Sequence, residues 1–231
     1  MSATICGMNK YGQFCPVAKA MELLDERWTL LVVRELLAGS RHWSELRQGV
    51  PRMSPTLLAK RLQRLTRAGV IERRREGNRV VYAPTDACEE LRPVVEALGT
   101  WGVRWIPELG DADLDPHLLA WDMHRRIDLE RVPAHRIVIQ LTFTDVDINE
   151  RDWWLVIQDG HVDVCDDDPG FDVDIAVECE LPTLVRIWRG DHDWYEALRS
   201  GALEVRGPRH LRDALPQWLQ LSVFAAVPRS A

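Results

Sequence analysis

Thr56, Lys60, Gln63 and Arg67 recur at spacings of four, three and four, which sets them on one face of a helix. A few residues on, Arg73, Arg74, Arg75 and Arg79 crowd around Glu76-Gly77-Asn78, a turn sequence. Short polar side chains and a lysine on an exposed helix can hydrogen-bond base edges. Arginines on a hairpin can neutralise phosphates and release their counterions. Folding alone does not call for such an arginine run, so this chemistry is recognition of a nucleic acid rather than bond-making. The candidate contacts are Arg41, Ser54, Thr56, Leu57, Lys60, Arg61, Arg64, Arg73, Arg74, Arg75 and Arg79.

Recognisable elements must hold these residues. Ser54 is a good N-cap, Pro55 suits a first helical position, Leu58, Leu62 and Leu65 form an inner stripe, and Gly69 ends the helix. Upstream, Val17, Ala20, Met21 and Leu24 recur at helical spacing after Pro16. Residues 28–37 are apolar on almost every side, as in a buried central helix, and residues 43–48 form a short helix before a turn at 50–53. Downstream, residues 70–74 and 79–83 read as two strands. A polar outer face is by itself most often a solvated one. Helix, turn, helix and basic hairpin in this order favour a winged helix-turn-helix bound to DNA. Residues 86–106 return to helical period, with Leu91, Val94, Val95, Leu98, Trp101 and Trp105 along one stripe. That stripe is longer than a small wing domain needs to cover, and implies a partner helix.

The segments CPVAKAMELLDERWTLLVVRELL (15–37) and HWSELRQGVPRMSPTLLAKRLQRLTRAGVIERR (42–74) make residues 15–102 resemble the HxlR-type winged-helix transcriptional regulators. The resemblance implies a homodimer on near-palindromic double-stranded operator DNA. It also implies a dimer interface built from the N-terminal segment and the last helix, a recognition helix at 54–67 and a wing at 73–79. In some members of that family the cysteine before proline senses oxidants or electrophiles, which makes Cys15 a redox candidate and Cys6 a conceivable second thiol. The alternative is a small, partly buried residue beside the dimer helix.

The chain has 231 residues, 46% of them hydrophobic, enough for two cores. No apolar run approaches the ~18 residues of a membrane span, and the N-terminus lacks a signal peptide's apolar core, so a cytoplasmic protein is expected. Cys6, Cys15, Cys88, Cys165 and Cys179 are odd in number and show neither CxxC nor zinc spacing, as for reduced thiols. Residues 1–110 carry 17 Lys and Arg against 12 Asp and Glu, whereas residues 111–231 carry 12 against 24. A basic part able to meet phosphates therefore precedes an acidic part that they would repel. The expected domains are 1–106, for DNA binding and dimerisation, and 112–231.

Beyond residue 110 strands dominate. Residues 137–144 and 153–158, a hairpin at Asp159-Gly160 continuing through Val162 and Val164, and alternating residues 173–179 precede helices at 181–189, 194–200 and 211–221, with a strand at 203–206. The Asp-rich alternating strand, TLVRIWRG (183–190) and SGALEVRG (200–207) resemble the sterol carrier protein-like lipid-binding fold. An α+β architecture and an apolar tunnel for a hydrophobic small molecule are what the resemblance implies. Six of ten tryptophans lie in this half. Most would be core, and Trp154, Trp188 and Trp218 are taken as pocket candidates. His124, His161 and His192 have no triad-like context, no glycine-rich phosphate loop occurs, and residues 166–168 read as a solvated acidic turn. Neither enzyme activity nor a metal or cofactor is expected. The whole reads as a dimeric DNA-binding repressor whose C-terminal domain binds a hydrophobic effector. The alternatives are a lipid or hydrophobe carrier using the winged helix as a dimer scaffold, and a thiol sensor acting through Cys15.

Overall fold

The computed structural model describes residues 10–106 and 108–230; Cys6 lies outside them. The chain divides into two compact units, residues 1–99 and 100–231.

In the first unit, α1 (Pro16–Leu24) and α2 (Thr29–Leu37) are joined by a turn ending at Trp28, which N-caps α2 with φ +78°. Then follow α3 (Trp43–Gly49), α4 (Pro55–Arg67), the antiparallel hairpin β1 (Ile71–Glu76) and β2 (Arg79–Pro84), α5 (Asp86–Glu89) and α6 (Arg92–Trp105), whose last residues, from 100 on, belong to the second unit. Ser54 caps α4 as expected, its Oγ accepting the Leu57 N–H at 3.3 Å. Val32, Val33 and Leu36 of α2 close the core against Leu46 of α3, Leu58, Leu62 and Leu65 of α4, and Ile71 of β1. The single helix expected over 86–106 is two. Pro93 stands second in α6, in the first turn, where a helix tolerates proline.

The second unit includes α7 (Pro116–His124). This helix is capped by Asp115, whose Oδ1 accepts the Leu118 N–H at 3.1 Å. β3 (Ile137–Phe143), β4 (Asp152–Gln158), β5 (His161–Cys165), β6 (Ile175–Cys179), α8 (Leu181–Trp188), α9 (Trp194–Ser200), β7 (Leu203–Arg206) and α10 (Arg209–Trp218) complete it. The strands pair in the order β5-β4-β3-β6-β7, with β3 and β6 parallel and the other neighbours antiparallel. Strand residues alternate between two faces. Ile137, Ile139, Leu141 and Phe143, with Trp153, Leu155, Ile157, Ile175 and Val177, share a core with Leu119 and Met123 of α7, Leu184 and Ile187 of α8, Ala197 of α9 and Leu211 and Leu215 of α10. One sheet face thus carries the helices, giving an α+β unit. Among the described residues no helix is long and apolar enough to cross a membrane.

Candidate nucleic-acid interface

The outer face of α4 and the hairpin enclose a groove of about 550 Å³ lined by Thr56, Ala59, Lys60, Gln63, Thr66, Arg67, Arg73 and Tyr82. Helical spacing supplies the first wall. Strand register supplies the second, because Arg73 and Tyr82 are directly paired and point the same way. Lys60, Arg67, Arg73, Arg75 and Arg79 are exposed, and no ion pair is found for them among the described residues.

Four other candidates are committed elsewhere. Arg61 and Arg64, only 14% and 20% exposed in their side chains, both pair with Glu26 in the turn after α1. Arg61 Nε also donates to the Arg27 carbonyl at 3.2 Å, and Arg64 Nη2 donates to the Glu22 carbonyl. Arg41 donates to the carbonyls of Leu36 and Ser40 at 2.5 and 3.0 Å, closing the C-terminus of α2. Arg74 is paired with Glu72, Nε to Oε2 at 2.7 Å. Arg41, Arg61 and Arg64, expected as DNA contacts, are thus held by carbonyl and carboxylate acceptors within the unit. Leu57 packs partly against the core, while Ser54 and Thr56 stay exposed at the start of α4. Arg67, Gln63 and Tyr82 belong to the groove although they were not among the candidates. The spacing of Gln63 and Arg67 from Lys60 was the available signal.

The apolar stripe before the second unit splits in two. Leu91 and Val95 pack against the first core. Val94, Leu98, Trp101 and Trp105 are 44 to 60% exposed, and Phe14 and Val17 at the start of α1 are exposed as well. Cys15 is a free thiol of intermediate exposure at the N-cap of α1. Cys88 is buried, which pushes its thiol up to about 11, and burial pushes Cys179 to about 12, so neither is a ready nucleophile.

In the second unit a cavity of about 230 Å³ lies among α7, α8, α9 and α10. Met123, Leu184, Ile187, Trp188, Trp194, Tyr195, Pro216, Leu219 and Leu221 line it, with His192 and Asp193. Of the expected pocket tryptophans only Trp188 is on its wall. Trp154 is paired with Gln140 on the sheet face away from the helices. Trp218 is core, 2% exposed. Trp194, absent from the candidates, is present instead. A second cleft of about 720 Å³ contains Arg186, Arg189 and Arg229. Its charge is partly cancelled, since Asp191 takes Arg189 Nε at 2.9 Å and Arg229 Nη2 at 2.5 Å. Among the described residues no group of three His, Cys, Asp or Glu side chains could hold a metal ion.

The sequence profile of the HxlR-like helix-turn-helix family matches residues 23–109. YvaP, an uncharacterised HTH-type transcriptional regulator of Bacillus subtilis, is 34% identical over 98 residues, spanning 41% of this chain and 91% of its own. An uncharacterised HTH-type transcriptional regulator of Synechocystis is 34% identical over 100 residues, spanning 42% of this chain and 74% of its own. Among solved structures, the reduced form of the transcriptional regulator YodB from B. subtilis is 27% identical and covers 39% of this chain and 93% of its own, with a TM-score of 0.36.

Proposed function

We propose, for a chain that belongs to the HxlR-like helix-turn-helix family of transcriptional regulators, that it is a dimeric, sequence-specific repressor whose second unit binds a small apolar effector. Family membership makes the first unit a DNA-binding regulator domain and not an enzyme. The groove between α4 and the hairpin carries the finer reading. Thr56, Lys60 and Gln63 stand where base edges are met, and the unneutralised Arg73, Arg75 and Arg79 stand where the sugar-phosphate backbone passes. Exposed Val94, Leu98, Trp101 and Trp105 supply the surface for a second protomer, which sets the spacing of two half-sites. In the second unit, the sterol carrier-like resemblance and the apolar cavity beside Trp188 and Trp194 support effector binding. An effector shifts DNA binding only in so far as it prefers one dimer geometry over the other.

Selection of the full-length protein on a pool of random duplexes tests this. Enrichment of a two-fold symmetric motif, and relaxed base preference with Lys60→Ala, are the expected results. No enriched motif would remove sequence-specific regulation and leave the carrier reading. A thiol response is a second reading, favoured by the exposed part of Cys15 at the head of a helix bound to α4 through Glu22 and Glu26. DNA binding by Cys15→Ser should then be indifferent to diamide while the parent responds. An equal response in both proteins ends that reading.

A further inference from the structure

The cavity in the second unit has apolar walls and one feature that a purely hydrocarbon guest would not serve. Trp194 is 8% exposed and lines the cavity, yet its buried indole Nε1–H has no hydrogen-bond partner among the described residues. An indole N–H is a donor only, and buried donors in native proteins are nearly always satisfied. The charged or titratable wall groups are Asp193 and His192, with Tyr195 beside them; among the described residues the wall carries no lysine or arginine. Asp193 already accepts the Glu196 N–H at 2.9 Å as the cap of α9. A carboxylate guest would meet an acid and no strong base, at a desolvation cost that nothing there offsets. The volume of about 230 Å³ suits a compact guest of about ten non-hydrogen atoms, since bonded atoms each take less than the ~30 Å³ share of a free water.

We infer that this cavity binds a compact, uncharged molecule with an apolar body and one carbonyl or ether oxygen, and that this oxygen accepts the hydrogen bond of Trp194 Nε1–H. The inference rests on the reading of the second unit as the effector-binding part and names its ligand class: small ketones, esters, lactones or ethers, rather than hydrocarbons or organic acids. The same wall supplies the polar groups of His192 and Tyr195 and the apolar surface of Leu184, Ile187 and Leu219.

Matched probes of nearly equal size test it on the full-length protein: indane, 1-indanone and indane-1-carboxylate. Titrations are followed by the indole N–H resonances of the nitrogen-15-labelled protein, with Trp194 assigned by its loss in Trp194→Phe. The expected result is that 1-indanone binds roughly 2- to 12-fold more tightly than indane, the worth of one net hydrogen bond, and moves the Trp194 Nε1–H resonance downfield. Trp194→Phe should lose the preference for 1-indanone, whose oxygen would then be buried without a donor. Equal binding of the two probes by the parent, with the Trp194 resonance unmoved, overturns the inference and leaves the cavity a ligand site. Tighter binding of indane-1-carboxylate than of 1-indanone overturns the uncharged class. If no probe binds, the effector-binding reading falls as well. The comparison of probes on the parent protein stands even if Trp194→Phe fails to fold.

Discussion

Replacing Arg73 with Gln should flatten the salt dependence of DNA binding, whereas replacing Arg61 should not. Arg61 and Arg64 are spent on Glu26, Arg41 on carbonyls and Arg74 on Glu72. With Lys60 on base edges, Arg67, Arg73, Arg75 and Arg79 remain for phosphates. At about −0.9 per neutralised phosphate, those residues set an upper slope of log K against log salt of about −3.6 per protomer and about −7.2 for a two-fold complex. Arg73→Gln removes one contact from each protomer and changes the slope by about 1.8, so its affinity deficit shrinks about 12-fold between 50 and 200 mM salt. Arg61→Gln should leave the slope within error of the parent and instead cost about 1–2 kcal/mol of stability, between the values for exposed and buried pairs. Fluorescence anisotropy of labelled operator across that salt range, with urea denaturation of each variant, measures both quantities. An unchanged slope for Arg73→Gln, or an equal flattening for Arg61→Gln, would refute the division of cations drawn from the structure.

A β-carbon on Gly49 would lie 1.7 Å from Glu35 Oε2. Because Glu35 is fully buried against Arg34 at 2.8 Å and Ser40 at 3.3 Å, Gly49→Ala should cost about 3–5 kcal/mol, read as a lowered urea midpoint for the first unit. Leu98→Glu places a charge in the exposed stripe of α6 and should shift the protein toward monomer in sedimentation velocity without changing its circular dichroism. His117, edge-on to Trp153 at 5.2 Å, is held below the ordinary imidazole range by burial, against the opposing pull of Asp115, Asp166 and Glu150. The unfolded chain therefore takes up its proton first. The stability due to neutral His117 is present above its unfolded pKa of ~6.5 and is lost as pH falls toward the folded value. Denaturation midpoints from pH 7 to 5 should fall less steeply in His117→Phe than in the parent.

What could be read in the chain beforehand depended on how local its cause was. The start of α4 rests on Ser54 and Pro55, and α9 is bounded by Asp193 at one end and by Gly201, with φ +77°, at the other. Those limits are written within a few residues of each element. The partner of Arg61 and Arg64 is not, because Glu26 stands 35 residues before Arg61 and meets it only after α1 and α4 have packed. Choosing between Trp153 and Trp154 required knowing which sheet face carries the helices, a matter of topology rather than of alternation. α7 escaped notice because Trp121 and His124, partly exposed, blur the contrast between its buried Leu119, Ala120 and Met123 and the rest of its surface. Trp194 had a visible cap before it, but an unmatched N–H can be recognised only in three dimensions.

Glu26 has a mechanical meaning as well. With Arg61 and Arg64 fastened to it and Arg64 also fastened to the Glu22 carbonyl, a tilt of α1 would be passed to α4 about a point near Arg64. Thr56 is eight residues away along the helix, a lever arm of about 12 Å at ~1.5 Å per residue. A swing of about 15° would carry that tip about 3 Å, close to the ~3.4 Å step from one base pair to the next. An input that tilts α1 by that amount would therefore move the reading tip off its base, with Leu58, Leu62 and Leu65 repacking against α2 and α3.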